Sequence, residues 1–165
     1  MIGTAVKELL LEKQETFLVP AENVANVMCL NPLSHALLVL SQVKYAKIPV
    51  LDKGDRFVGL ISLSDVVDKM FDISSVDFDK LKEFTVADVM EVHVPVIGER
   101  WELEDVLHLL VDASFLPVVD DNQQFKGIIT RKELLKAINH MAHELERNHI
   151  ILPKFSEDEQ EINVI

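Results

Sequence analysis

Hydrophobic positions along this chain change period in an order that recurs. Val6, Leu9 and Leu10 fall at helical spacing, so Thr4 to Gln14 predicts an amphipathic helix with Thr4 as its N-cap. Phe17-Leu18-Val19 predicts a short extended segment stopped by Pro20, and Val24 to Leu30 a second one broken by Asn31-Pro32. Leu33, Ala36, Leu37, Leu40 and Val43 return to helical period, which predicts a helix from Leu33 to Lys44. A strand over Ile48 to Leu51, a polar turn at Asp52-Lys53-Gly54-Asp55 and a strand over Arg56 to Ser62 follow. Ser62 or Ser64 then caps a helix reaching to about Phe71.

The same order returns in the second half. It runs as a short helix near Val86 to Met90, a strand at Val94 to Val96, a helix over Glu102 to Asp112 and a strand over Leu116 to Val119. A turn at Asp120-Asp121-Asn122-Gln123, a strand over Gln124 to Ile129 and a long helix from Arg131 to about Asn148 complete it. The recurrence extends to identities. Ile48-Pro49-Val50-Leu51-Asp52 returns 68 residues later as Leu116-Pro117-Val118-Val119-Asp120, and Phe57, Gly59 and Ile61 as Phe125, Gly127 and Ile129. Carried backwards without a gap, the alignment sets Leu33 to Val43 against Trp101 to Val111, and so sets His108 on Leu40 as a core position.

The expected architecture is α+β: two β-α-β-β-α repeats with pseudo-two-fold symmetry, each a small sheet covered by helices on one face. The expected division is an N-terminal helix over residues 1–16, a first repeat over 17–72, a linker over 73–84, a second repeat over 85–140, and a helix extension with an acidic tail over 141–165. A repeat of roughly 50 residues buries too little surface alone, so the copies should share a core, and function should lie where they meet.

Composition changes this picture in two respects. With 28 acidic against 16 basic residues the formal charge is -12, which argues against non-specific binding to nucleic acid or to an anionic membrane. It would also repel a nucleotide at long range, so any anion site must be made locally by backbone N–H groups and a few placed cations. The single cysteine, Cys29, excludes an internal disulfide and reads as a small core residue. Without a membrane-length apolar run or a secretory leader, the expectation is a cytoplasmic protein.

The candidate chemistry lies at the strand-to-helix transitions. Gly59 and Gly127 mark places where backbone must approach something closely. Ser62-Leu63-Ser64-Asp65 supplies hydroxyls and helix-start N–H groups suited to phosphate, with an acid suited to ribose hydroxyls. Thr130, Arg131, Lys132 and Glu133 hold the corresponding positions in the second copy. Two cations at a helix start oppose the helix dipole at a cost of up to about 1 kcal/mol, which an anionic ligand would explain. There is no phosphate-loop pattern, nucleophile–base arrangement or completed metal-ligand set, so an enzyme is not expected. His140, His143 and His149 lack the carboxylate or thiolate partners a metal site needs.

The repeated Pro-Val-x-Asp strand, the following Gly-x-x-[Ser/Thr]-x-x-[Asp/Glu] segment and the apolar helix before each resemble a cystathionine-β-synthase (CBS) domain pair, or Bateman module, over about residues 17 to 140. That resemblance implies two composite nucleotide sites. Site A would combine Asn23, Val24, Ala25, Val27, Tyr45, Ala46 and Ile48 with Ile129, Thr130, Arg131, Lys132 and Glu133. Site B would combine Val92, His93, Val94, Phe115 and Leu116 with Ile61, Ser62, Ser64 and Asp65. Backbone of the short strands would read the adenine edge, and apolar side chains would sandwich the ring.

Val19 to Val27 and Asn31 to Leu40 are further similar to stand-alone CBS proteins of Gram-positive bacteria that bind cyclic di-AMP. Relative to that group, Asn23 replaces a basic residue and Lys132 the second arginine of a pair. The implied function is a non-enzymatic adenine-nucleotide sensor with no cofactor, most simply a cyclic di-AMP receptor. AMP or ATP binding, or a ligand-free dimerisation module, are the alternatives. The implied partners are a second copy of the chain and an enzyme such as a (p)ppGpp synthetase or pyruvate carboxylase.

Overall fold

The computed structural model describes residues 4–11, 17–43, 45–71 and 76–148. The end of the first expected helix, at 12–14, and the acidic segment beyond Pro153 lie outside the described residues. Among the described residues seven strands run in chain order: β1 (Leu18–Pro20), β2 (Val27–Met28), β3 (Lys47–Leu51), β4 (Phe57–Ser62), β5 (Ile97–Gly98), β6 (Phe115–Val119) and β7 (Phe125–Thr130). The α-helices are α1 (Thr4–Leu11), α2 (Leu33–Gln42), α3 (Leu63–Asp68), α4 (Lys80–Glu83), α5 (Leu103–Asp112) and α6 (Arg131–Asn148). The strands form two sheets, ordered β2-β3-β4 and β1-β7-β6-β5.

Each sheet is completed by a segment from outside its own repeat. Strand β1 pairs antiparallel with β7, setting Val19 against Ile128. On the other sheet, Glu91 exchanges two main-chain hydrogen bonds with Leu60, at 2.8 and 2.9 Å. These crossings explain the recurring glycine. A Cβ on Gly127 would lie 2.1 Å from the Val19 carbonyl oxygen, and one on Gly59 would lie 2.6 Å from that of Glu91. The close approach read from the sequence is therefore to the protein's own crossing strand.

The apolar residues sort into three clusters rather than one shared core. Leu33, Ala36, Leu40, Ile48, Val50, Ile61 and Val66 pack the first repeat, closed by Leu81 and Val86 from beyond it. Leu103, Val106, Leu110, Leu116, Val118, Ile129 and Leu134 pack the second, closed by Leu10 and Phe17 from the N-terminus. Trp101 lies against Phe17, with ring centroids 6.1 Å apart, and Cys29 packs beside the first cluster. The third cluster, including Leu51, Phe57, Leu60, Phe115, Val119 and Phe125, joins the sheets.

The pseudo-two-fold passes through the hairpin tips. Phe57 N–H donates to the Gln123 carbonyl and Phe125 N–H to the Asp55 carbonyl, both at 3.0 Å, and the two rings stack with centroids 6.2 Å apart. Both tips are built alike. Asp52 Oδ1 accepts from Gly54 and Arg56 N–H, and Asp120 Oδ1 from Asn122 and Gln124 N–H. Asp55 and Gln123 take left-handed conformations, at φ 57° and 62°. The hydrogen bonds and ion pair from Arg56 hold the Asp52 carboxyl below the usual carboxylate range; Lys126 does the same for Asp120.

Several expected boundaries shift for identifiable reasons. Within Val24–Leu30 only Val27–Met28 forms a paired strand, because Ala21–Asn23 forms a 3-10 turn and Asn31 N–H turns back onto the Met28 carbonyl. The strand expected at Val94–Val96 lies at Ile97–Gly98, opposite Val118 and Val119; Pro95 has no N–H to give a ladder. Helix α3 ends at Asp68, short of Phe71, because Lys69 and Met70 N–H bond only three residues back and Met70 folds into the core.

The ungapped alignment also fails outside the hairpins. The buried positions of α2 are Leu33, Ala36 and Leu40, and those of α5 are Leu103, Val106 and Leu110, an offset of 70. Four residues (43–46) join α2 to β3, whereas Ala113-Ser114 suffices between α5 and β6. His108 consequently matches exposed Leu38, not Leu40, and is itself exposed rather than core.

Candidate functional site

Helix α6 begins where β7 ends, and Thr130 Oγ1 accepts from Glu133 N–H at 3.2 Å as its cap. This start points Arg131, Lys132 and Glu133 into a cleft of about 910 Å³, with Tyr45 and Thr130 also on its wall. Five of the residues expected in site A thus come together. Val19, Ser114, Phe115, Lys136 and Asn139 join them. Lys136 and Asn139 were legible in principle, since helical period sets them on the face of Lys132; Ser114 and Val19 depend on strand pairing that no local pattern records.

Arg131 is held from behind. Its Nε donates to the Leu110 carbonyl at 2.8 Å, and its Nη2 to the Val111 and Ala113 carbonyls at 3.0 and 2.8 Å. It therefore occupies the unsatisfied carbonyls at the end of α5, where a cation also complements the helix dipole. Its main-chain N–H donates to Ser114 O, which fixes the residue further. Nη1 has no acceptor among the described residues, so two N–H groups stay available to an anion. Lys132 is exposed, and Lys136 pairs with Glu133 at 2.7 Å. Three cations against one carboxylate make this cleft locally positive on a chain of charge -12.

The remaining site A candidates divide differently. Val27 and Ile48 are buried in the first core and Ile129 in the second, while Val24 is buried between the sheets. None of these four side chains can sandwich a ring; their orientation is taken by packing, and any contribution is through backbone. Asn23 is exposed and Ala25 half-buried beside the 3-10 turn; Ala46 faces a neighbouring cavity.

That cavity, about 520 Å³, holds the part of site B that does assemble. Val94 and Phe115 line it, with Lys47, Leu60, Glu91, His108 and Asp112, and Arg131 forms part of the partition from the larger cleft. Ile61 and Leu116 are core residues, and Val92 and His93 are exposed. Ser62, Ser64 and Asp65 bond to one another. Asp65 Oδ2 accepts from Ser62 N–H at 2.8 Å and from Ser62 Oγ at 2.6 Å, and Ser62 Oγ lies 2.8 Å from Ser64 Oγ. Ser62 and Asp65 form a capping box for α3. Lys47 and Glu91 form an ion pair on the cavity wall.

A positive cleft with a planar phenol, hydroxyls and a fixed guanidinium can hold a phosphorylated heterocycle. Among the described residues no group of His, Cys, Asp or Glu could hold a metal ion, and no helix is long and apolar enough to cross a membrane. The model of the CBS domain matches residues 22–72 and 86–140 of the chain. Cyclic di-AMP receptor B of Bacillus subtilis is 34% identical over 139 residues, spanning 84% of this chain and 95% of that protein. The crystal structure of CbpB from Streptococcus agalactiae superposes with a TM-score of 0.82 at 32% identity, covering 93% of this chain and 96% of that one. CbpB of Listeria monocytogenes in complex with c-di-AMP gives a TM-score of 0.73 at 40% identity, over 79% and 97%.

Proposed function

The chain belongs to the CBS-domain family, with two domains in tandem, and from that premise we propose that it is a non-enzymatic receptor for cyclic di-AMP. The observation that carries this reading is the positive cleft at the start of α6, where Arg131 is braced by α5 with its Nη1 turned to no acceptor among the described residues. A guanidinium held in one orientation gives charge-assisted hydrogen bonds to phosphate at little further entropic cost. Tyr45, half exposed at the mouth, is placed for a base to stack on. Similarity to a receptor of that ligand and to a complex containing it favours cyclic di-AMP over other phosphorylated heterocycles.

The receptor acts in the cytoplasm as a homodimer. Val111 and Leu135, 72% and 57% exposed on α5 and α6, supply an apolar face for the pairing. Ligand in the cleft changes which protein target is held, an enzyme of the (p)ppGpp synthetase or pyruvate carboxylase kind. Titration calorimetry of the full chain with cyclic di-AMP, AMP and ATP tests the reading. Saturable heat with cyclic di-AMP, weakened by Arg131→Ala, is expected; no heat with any of the three would overturn it.

A further inference from the structure

Helix α6 gives the positive cleft a long wall as well as a charged end. Lys132, Lys136 and Asn139 fall at i, i+4 and i+7, so they share one face of the helix, and all three line the cleft. From Arg131 to Asn139 is about 12 Å along the axis at the ordinary helical rise. That length is comparable to the span from a phosphate to the far edge of its own base. The cleft, about 910 Å³, therefore continues well past the place where a phosphate meets Arg131. It ends at an exposed carboxamide with no hydrogen-bond partner among the described residues.

The chemistry of the wall narrows what that carboxamide can read. Arg131, Lys132 and Lys136 offer donors only, and Glu133 accepts only and is paired with Lys136. Asn139 alone among the described residues of this wall sets a donor and an acceptor side by side in one plane. Adenine presents the complementary pair, its N6 donor beside the N7 acceptor, whereas guanine presents two acceptors there, O6 and N7. Against guanine the carbonyl oxygen of Asn139 would meet an acceptor, and one polar group on each side would go unpaired. From this we infer that Asn139 reads the base lying along α6 in a bound cyclic dinucleotide and selects adenine over guanine there. The inference rests on the receptor reading of this cleft and adds the residue that sets its base preference. Lys132, between Arg131 and Asn139 on the wall, serves phosphate, which carries no information about the base.

The test measures the preference of three full-length proteins, wild type, Asn139→Ala and Asn139→Arg, for cyclic di-AMP over cyclic di-GMP. Cyclic di-AMP is titrated directly, and cyclic di-GMP is measured by its displacement of cyclic di-AMP. Asn139→Ala should weaken cyclic di-AMP roughly tenfold or more without weakening cyclic di-GMP, so the ratio of the two dissociation constants shrinks by that factor. Asn139→Arg offers two donors to O6 and N7 of guanine and should shift the ratio further toward cyclic di-GMP. The residue is exposed on a helix, so the unligated unfolding midpoint of Asn139→Ala should not fall, which separates lost recognition from lost structure. An unchanged ratio in Asn139→Ala, whether both affinities hold or both weaken equally, would overturn the inference and leave the receptor reading standing. Wild type that binds no cyclic di-AMP would overturn the receptor reading and this inference with it.

Discussion

The Nε of Arg131, at the first turn of α6, donates to the carbonyl of Leu110, near the end of α5, at 2.8 Å. With the Nη2 bonds to Val111 and Ala113, one side chain both terminates α5 and faces the positive cleft. Its charge sits unfavourably at the start of its own helix and favourably at the end of another. A cation at this helix start is thus explained in part without a ligand, by its bonds to the end of α5.

Arg131→Ala should therefore act twice. Losing the three carbonyl contacts should lower stability by roughly 1–2 kcal/mol in the absence of ligand. Cyclic di-AMP binding should weaken by about tenfold to a hundredfold. Arg131→Lys keeps the charge but loses the fork, so it should fall between wild type and Ala in both measurements. Thermal unfolding without ligand, paired with calorimetry, separates the effects; a binding loss at unchanged unligated midpoint would remove α5 as the brace.

The two repeat glycines should respond unequally to alanine. Gly127 has φ 146° and a Cβ there would meet the Val19 carbonyl at 2.1 Å, so Gly127→Ala carries both backbone strain and a collision with β1. A loss of about 3 kcal/mol or more is expected. Gly59→Ala meets the Glu91 carbonyl at 2.6 Å without a left-handed φ and should cost less. Chemical denaturation of both variants gives the comparison, and equal costs would contradict it.

The hairpin tips predict an acid limb in stability. The carboxyls of Asp52 and Asp120 are held low chiefly by hydrogen bonds from Arg56 and Lys126 respectively. A carboxyl with a depressed folded-state pKa contributes stability that is fully present above its unfolded value, about 3.9, and is lost as pH falls through the folded one. Denaturation midpoints should thus hold from neutral pH to about 5 and decline below it. Asp52→Asn with Asp120→Asn should flatten that decline, and a slope unchanged in the double variant would assign it to other acids.

How much of this was legible beforehand follows from where the constraints are local. Pro49 and Pro117, the Asp52 and Asp120 turns and the glycines repeat in register because a hairpin fixes the spacing of its own residues. The helix-to-strand connection carries no such constraint. Two extra residues there, in the segment holding Tyr45, moved α2 and α5 out of the hairpin register and made His108 look like a core residue. The positive cleft was readable from Arg131 and Lys132 alone. What escaped the sequence was which side chains packing had already claimed: Val27, Ile48 and Ile129 alternate into cores, a matter of strand register settled by partners far along the chain.

Asp65 separates a structural role from a ligand role most sharply. An acid three residues after Ser62 suits either the hydroxyls of a ribose or the orphan N–H groups of a helix start, and sequence does not distinguish them. In the structure its Oδ2 is committed to the Ser62 N–H and hydroxyl, while Asp65 N–H donates to Ser62 Oγ at 3.2 Å. Both halves of the capping box are present, and removing one should cost about 1 kcal/mol. Asp65→Ala should lower the unfolding midpoint accordingly and leave cyclic di-AMP affinity unchanged, because Asp65 is not on the wall of the positive cleft. Asp65→Asn, which can still accept from Ser62, should recover part of the loss. Weakened cyclic di-AMP binding at full stability would mean that the acid serves the ligand and that the hydrogen bonds around Ser62 rearrange to release it.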